Sequence, residues 1–414
     1  MSTAPRDAFL HTERPERSVP LWRNRDFLLL ISGQGISSVG SQVSQLAFPL
    51  LVLAMTHSPA QTGIITALRG LPYALLCLPA GALVDRWNRK LVMILCDGGR
   101  AIALASVPIA LALGHLSIPQ LYLVSLVEGT LFVFFQMAEA AAIPHVVTKE
   151  QINTAVGQNE VVYSGTQMLG PSIGGFLYSI SSMAPFLSDA ISYGISLLSL
   201  LLIKAEFQKE RTATQQHLWA EIKEGLVWLW NNPLMRFIAL LTGGLITPCS
   251  GYALILIVMG QGYHASSATI GLIFAGGGVG SIIGALLASS LMKRLGFAKL
   301  IIVATWIWAL SWLFFALAPN PLILGILNGI SFTIVPVYMV AQYSYRLTVI
   351  PDTLQGRVNS VFRLISFGSS PLGIALTGWL LQILGPIPTI VVLFIPQFLL
   401  AIAVTFNKHV RQAR

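Results

Sequence analysis

Charge is what this 414-residue chain has least of. Only 10% of its residues are Asp, Glu, Lys or Arg, against about 25% in an ordinary soluble domain. A water-facing surface of normal kind cannot be built from so few, which excludes a secreted enzyme and a disordered chain. Cysteine is nearly absent: Cys77, Cys96 and Cys249 sit far apart in apolar runs with no CxxC or Cys/His spacing. Neither a disulfide framework nor a zinc site follows, and the three read as small buried hydrophobes. The seven histidines avoid the centres of the apolar runs, so no intramembrane metal site is expected. HExxH and GxxxxGK[ST] are missing. One GxSxG match, Gly170 to Gly174, lies inside an apolar run rather than at a strand–turn–helix junction. No enzyme, no cofactor and no direct use of ATP is expected. Acid is scarcest of all in the second half, where Asp352 is the single carboxylate side chain after Glu224.

What the chain does have is apolar length. Hydrophobic residues make up 55% and the mean hydropathy is +0.74. A membrane helix takes about 20 such residues. Apolar runs predict spans at 27–54, 61–84, 91–113, 118–140, 158–181 and 185–204, then at 235–259, 267–291, 298–317, 321–345, 359–382 and 386–406. The expectation is an all-α polytopic membrane protein of 12 transmembrane helices in two pseudo-symmetric six-helix halves. Residues 1–26 are a cytosolic tail, 27–204 the first bundle, 205–234 a cytosolic linker, 235–406 the second bundle and 407–414 a cytosolic tail. The N-terminus carries Arg6, Arg14, Arg17, Arg23 and Arg25 and has no small-residue cleavage pattern, so it is no removable signal.

The net charge of +9 would suggest nucleic acid in a soluble protein. Here its placement gives another explanation, and no nucleic-acid partner is expected. With the N-terminus inside, every inner segment contains Lys or Arg. The six outer loops, near 55–60, 114–117, 182–184, 260–266, 318–320 and 383–385, contain none. That is the positive-inside pattern of a cell-membrane protein with both termini cytosolic. The halves also repeat. Gly81 and Gly284 are 203 apart, Pro144 and Pro351 are 207 apart, and Pro171 and Pro371 are 200 apart. A duplicated six-helix unit is one transporter architecture, with substrate held between the halves near the midplane.

Two strings carry a family likeness. Gly81-Ala-Leu-Val-Asp85-Arg86-Trp-Asn-Arg89-Lys90 is similar to the G-x-x-x-D-R-x-G-R-[KR] loop of the major facilitator superfamily, with Asn88 where glycine is usual. Gly170-Pro171-Ser172-Ile173-Gly174-Gly175 matches the G-P-x-x-G-G of its exporters. With Asp97-Gly-Gly-Arg100, Phe186-Leu-Ser-Asp189 and the segment from Glu224 to Arg236, the chain resembles the branch of macrolide efflux proteins and enterobactin-type siderophore exporters. The resemblance implies a secondary active transporter, a monomer with lipids around it, exporting an amphipathic small molecule by proton antiport and alternating access. A nutrient importer on the same fold, or a membrane sensor or scaffold, are the other readings. It further implies that Gly81, Asp85, Arg86, Arg89, Lys90 and Arg100 form a gating loop that latches the halves. Asn88 also tolerates a left-handed backbone.

The residues add readings of their own. Gly81 lets two helices approach. Gly170, Gly174 and Gly175 make a flat packing face beside the bend of Pro171, a sealing element or ordinary small-residue packing. Charges inside spans are costly. Ser125, Glu128, Phe132, Gln136 and Glu139 share one helix face that should point to a central cavity. Glu128 is either a proton carrier or a structural partner for Arg69, with Asp97 and Glu139 as further proton candidates. Asp97 and Arg100, three apart, read as an ion pair. Asp189 reads as a cap beside water, and Arg363 as a snorkelling cation or a latch partner. Gln34, Ser38, Ser41, Gln45, Arg69, Gln136, Tyr338 and Gln342 are cavity candidates. Trp306, Trp308 and Trp312 read as lipid-facing or interfacial. Residues 218–230 form an amphipathic helix on the inner surface that ties the halves together.

The topology gives a direct prediction. Cysteines introduced at Ser58 and at Ala213 should react with an impermeant thiol reagent from opposite sides of the membrane; reaction from one side contradicts the span map.

Overall fold

The computed structural model describes residues 20–84, 86–207, 218–351 and 354–413, with the side chains of 78, 82, 153 and 218–221 outside the description. Most of the N-terminal tail, Asp85 of the expected gating loop, the middle of the linker and Asp352 lie outside the described residues. Those described are helical almost throughout, with no strand among them. The helices are α1 Arg25–Thr56, α2 Pro59–Val84, α3 Arg89–Ala112, α4 Ile118–Val146, α5 Ile152–Ile180, α6 Ala184–Leu202, α7 Leu218–Asn231, α8 Pro233–Cys249, α9 Tyr252–Gly262, α10 Ser267–Phe314, α11 Pro321–Val349, α12 Gln355–Phe367, α13 Ser370–Leu384, α14 Pro386–Phe406 and α15 Lys408–Gln412. Among the described residues, nine helical segments are long and apolar enough to cross a membrane.

Polar residues in the short loops start these helices. Asn24, Asn88, Ser117, Asn232, Ser266 and Asn320 each accept a backbone N–H from the first turn they precede, the usual N-cap arrangement. Asn88 therefore departs from expectation. Its backbone is extended (φ −66°, ψ 108°) and its side chain caps α3, so no left-handed conformation is involved. Two expected spans are each divided: α8 and α9 by a break at Ser250–Gly251, and α12 and α13 by one at Gly368–Ser369.

α10 merges two expected spans. Its 48 residues would reach about 70 Å, more than twice the hydrocarbon thickness. Gly296, at φ 71°, breaks it. Gly276, Gly280 and Gly284 pack on Gly325, Gly329 and Thr333 in step, so the first part of α10 and α11 run parallel. The second part must cross back between them.

Helices α1 to α6 pack among themselves, and α8 to α14 do likewise. Contacts between the two groups gather at the end lacking basic residues. There Gly175 meets Ser267 and Gly271, Gly63 meets Gly378, and Ser58 Oγ donates to Gln382 Oε1 at 2.8 Å. Leu46, Leu50 and Leu53 of α1 join the apolar cluster of α9 and α10. The α5 glycines pack in two directions: Gly170 and Gly174 press on Gln42 and Val43 of α1, while Gly175 presses on α10. Toward the basic end the same two faces separate. Val161 on α5 is 73% exposed and Leu286 on α10 is 75% exposed. The groups are thus in contact at the uncharged end and part toward the basic end.

Several expectations need correction. Gly81 has nothing within 4 Å of a Cβ added there, so it makes no close helix approach in this state. Trp308 and Trp312 are buried in the second group, donating to Cys249 Sγ and to the Ile390 carbonyl, rather than facing lipid. Trp306 is half-buried and donates to Thr405 Oγ1. α7 docks on the second group: Leu229 is in its core, Gly225 packs on the Arg357 backbone, and Glu224 pairs with Arg357. Of the cysteines, Cys96 is buried and Cys77 and Cys249 are half-buried.

The seal can be tested. A Cβ on Gly175 would lie 2.4 Å from the Ser267 carbonyl oxygen, and backbone cannot move aside cheaply. Gly175→Val should therefore open the uncharged end, and a cysteine at Ser172 should label several-fold faster than with Gly175 intact. An unchanged rate removes the seal from the account.

Candidate functional site: a buried charge cluster

α4 carries Glu128 in its middle, and α2 delivers Arg69 to it. The approach is possible because residue 129 is glycine: a Cβ there would sit 2.1 Å from the Arg69 carbonyl oxygen. Glu128 is 1% exposed. It pairs with the Arg69 guanidinium through Nε, accepts from Arg100 Nη2 at 2.7 Å, and accepts from Tyr193 Oη at 3.2 Å. Arg100 also reaches Ser41 Oγ at 3.4 Å, and Ser41 and Tyr193 share a hydrogen bond of 2.7 Å. The Tyr193 ring lies 4.1 Å from the Arg100 guanidinium carbon, and Phe48 lies under Arg69. One glutamate thus joins α1, α2, α3, α4 and α6.

Two more carboxylates belong to this cluster. Asp97 is buried one helical turn from Arg100, with the Ser196 hydroxyl as its polar neighbour and no guanidinium bonded to it. The expected Asp97–Arg100 pair does not form, because the guanidinium reaches across to α4 and bonds Glu128 instead. Asp189 is fully buried rather than beside water. Its Oδ1 accepts from Ser192 at 3.3 Å, its Oδ2 has no partner, and it feels the charges of Glu128, Arg100 and Arg69. Gly40 leaves the space for it, since a Cβ there would be 2.6 Å from Asp189 Oδ1.

The remaining candidates scatter. Gln34 donates to Ser196 inside the first group, Ser38 shares a bond with Thr166 of α5, and Gln45 is exposed. Gln136 is half-buried with an unpartnered Oε1, and Glu139 accepts from Asn159 at 3.5 Å. Tyr338 is fully buried against Thr242 and Trp308. Gln342 is buried beside Met339. At the basic end Arg86 is exposed, while Arg89 donates to the carbonyls of Ala141 and Phe207 and Lys90 to that of Ile203. These basic residues tie α3 to α4 and to the chain end of α6. Arg363 Nη2 donates to Tyr73 Oη at 3.0 Å, a bond from α12 to α2. Reasoning from sequence missed Arg346 on α11, which is buried and has no carboxylate partner among the described residues.

Known proteins with related sequences and folds show the family. A family model described as transmembrane secretion effector matches residues 18–413. The chain belongs to that family. Among relatives, the enterobactin exporter EntS of Citrobacter koseri is 27% identical over 353 residues, covering 85% of this chain and 84% of that protein. The multidrug efflux pump Tap of Mycolicibacterium fortuitum is 26% identical over 401 residues, covering 93% and 96%. Among solved structures, a mutant of the nucleoside transporter NupG superposes with a TM-score of 0.75 at 14% identity, covering 93% of this chain and all of that one. A bacterial homologue of the human lysosomal transporter Spinster, inward-facing and unoccupied, gives 0.73 at 16%, covering 94% and 98%. This secretion effector is a multi-pass membrane transporter of major facilitator type and not an enzyme.

Removing one partner of a buried ion pair costs about 3–5 kcal/mol. Arg100→Met and Glu128→Gln should each lower the stability of the purified protein by that order in chemical unfolding. The double variant should lose less than the sum, by about 0.5–3 kcal/mol. Strict additivity would contradict the pairing.

Proposed function

We propose that this secretion effector exports an amphipathic small molecule, of siderophore or drug type like the molecules named for its relatives, in exchange for protons held by the buried cluster. The observation that carries the coupling is a charge count. Arg69 and Arg100 bring two positive charges; Glu128, Asp97 and Asp189 bring three negative ones. A net charge out of contact with water is expensive. The cluster is neutral when the three carboxylates hold one proton among them. Loss and gain of that proton, as access alternates between the two ends, is the coupling step. Glu128 is the counter-ion of both guanidiniums. Asp97 and Asp189, buried and held by serine hydroxyls rather than by a guanidinium, are the sites where the proton resides. Glu139, half-buried nearer the basic end and within electrostatic reach of Asp97 and Arg100, is a relay to that side.

The architecture that serves this is twelve crossings in two six-helix halves, 27–204 and 235–406. Two features support that count beyond the nine apolar segments. The segment Ser267–Leu317 turns back at Gly296 and crosses twice, and α2 and α5 are long enough to cross and are packed between segments that do. Both termini and residues 205–234 are cytosolic, on the positive-inside pattern. Contact at the uncharged end with separation at the basic end is then the state open to the cytosol of an inner or plasma membrane.

Transport in proteoliposomes tests the assignment. Asp97→Asn combined with Asp189→Asn fixes the cluster's proton count. It should abolish uphill efflux driven by a pH gradient and spare downhill exchange of a dye substrate. Glu128→Gln should lose both, because the two guanidiniums lose the one carboxylate that bonds them directly, even though the remaining charges then balance without a proton. A double aspartate variant that still builds a wild-type gradient would remove coupling from this cluster.

A further inference from the structure

Arg346 stands in the opposite situation to the two arginines of the first group. It is 5% exposed, on the stripe Tyr338, Gln342 and Arg346 that α11 turns inward. Its Nε and Nη1 have no hydrogen-bond partner. The groups acting on it electrostatically are Tyr343, Tyr338 and Arg363, and none of them is an acid. Glu224, the last glutamate of the chain, is taken by Arg357. The ring of Phe362 on α12 lies 4.0 Å from the guanidinium carbon and that of Tyr343 lies 5.3 Å away. Nearby acceptors are also unused: Gln342 Oε1 on the same stripe, and Asn359 Oδ1 and the Ser366 hydroxyl on the α12 face that carries Phe362.

The internal repeat sharpens the contrast. α4 Ile118–Val146 and α11 Pro321–Val349 are equally long and start 203 residues apart, which places Gln342 opposite Glu139 and Arg346 one turn further along. In the first group the amide of Asn159 donates to the Glu139 carboxylate. In the second group the same stripe carries an amide, Gln342, and one turn beyond it a guanidinium whose Nε and Nη1 donate to nothing, against the rings of Phe362 and Tyr343. The position in the last turn of α11 offers Arg346 only the weak attraction of the helix end, and ring faces supply no hydrogen bonds to the guanidinium edge. A buried, unpaired guanidinium is stable when an anion completes it, and its fork matches a carboxylate or phosphate edge-on.

We propose that Arg346, with Phe362, Tyr343 and Gln342, is a binding site for the oxyanionic group of an amphipathic aromatic or acyl molecule, a carboxylate, phenolate or phosphate ester. The site sits in the second half, which has no carboxylate inside a helix among the described residues after Glu224, and does not depend on where the coupling proton resides. It adds a chemical class to the exported cargo: a molecule with an anionic oxygen at one end and apolar surface beyond it.

Binding rather than transport tests it, so failure of the coupling scheme leaves the result readable. The full chain in nanodiscs of neutral lipid is titrated by calorimetry with 2-naphthoate and with its neutral amide. Naphthoate should bind at least tenfold more tightly than the amide. Arg346→Gln should abolish that preference at an unchanged melting temperature, and Arg346→Lys should keep part of it. In nanodiscs containing phosphatidylglycerol, undiminished naphthoate binding marks the cargo as the source of the anion. Binding suppressed by that lipid in wild type assigns the same site to a lipid headgroup. Equal affinity for acid and amide, or a preference that survives Arg346→Gln, overturns the proposal. So does an Asp352→Asn variant that binds naphthoate markedly more tightly than wild type, or a Glu139→Gln variant that does so, since either would show that an internal carboxylate already occupies Arg346.

Discussion

Glu128 held between two guanidiniums organises the first six helices more than any apolar contact does. A charge inside a bundle is tolerated when it is paired and hydrogen-bonded, and each partner here would be costly alone. Arg69 comes from α2, Arg100 from α3, Glu128 from α4, Tyr193 from α6 and Ser41 from α1. The helices must come close for those bonds to form, and glycines permit it: Gly129 against the Arg69 backbone, Gly40 against Asp189 and Ser192. Small residues and a charge cluster are thus two parts of one solution to packing in a solvent that offers apolar surfaces no incentive to associate.

The two groups of helices divide the work unequally. Most carboxylates within helices lie in the first, whereas the second packs through aromatic rings, hydroxyls and glycines, as in Tyr338 against Trp308 and Thr242. Between them the contacts at the uncharged end are mostly apolar and close, at Gly63 with Gly378 and Gly175 with Gly271. Such contacts carry few directional bonds, Ser58 to Gln382 and Ser172 to the Gly271 carbonyl among them, which suits a surface that opens and closes. Tyr73 and Arg363 add one polar bond across the same divide. Energy input in one group and recognition of cargo in the other is a consistent reading of this asymmetry.

The all-helical, membrane-crossing character and the short loops were legible in the sequence because each depends on local composition. Glu128 and Arg69 were legible as a possible pair because charges inside apolar runs are so few. What pairs with Arg100 was not: Asp97 is its near neighbour along the chain, while Glu128 is brought to it by packing between helices. Asp189 was misplaced because distance from a span's end does not report burial under neighbouring helices. Asn88 looked like a glycine substitute and proved to be a cap, since its side chain had a free amide of α3 to satisfy. Trp308 and Trp312 were assigned to the lipid by their usual preference, which two buried hydrogen-bond acceptors overrode. Arg346 escaped notice because the apolar run stops before it, although α11 continues to Val349.

The central claim is that the buried cluster contains one exchangeable proton among Glu128, Asp97 and Asp189. Infrared difference spectroscopy of the purified protein, with labelled aspartate and glutamate, reads protonated carboxyl groups directly. The account predicts one buried carboxylic-acid band at neutral pH that shifts with the aspartate label, changes when substrate binds, and is lost when Asp97 and Asp189 are both changed to Asn. A spectrum with no protonated buried carboxyl, or with a band that persists in that double variant, would contradict it.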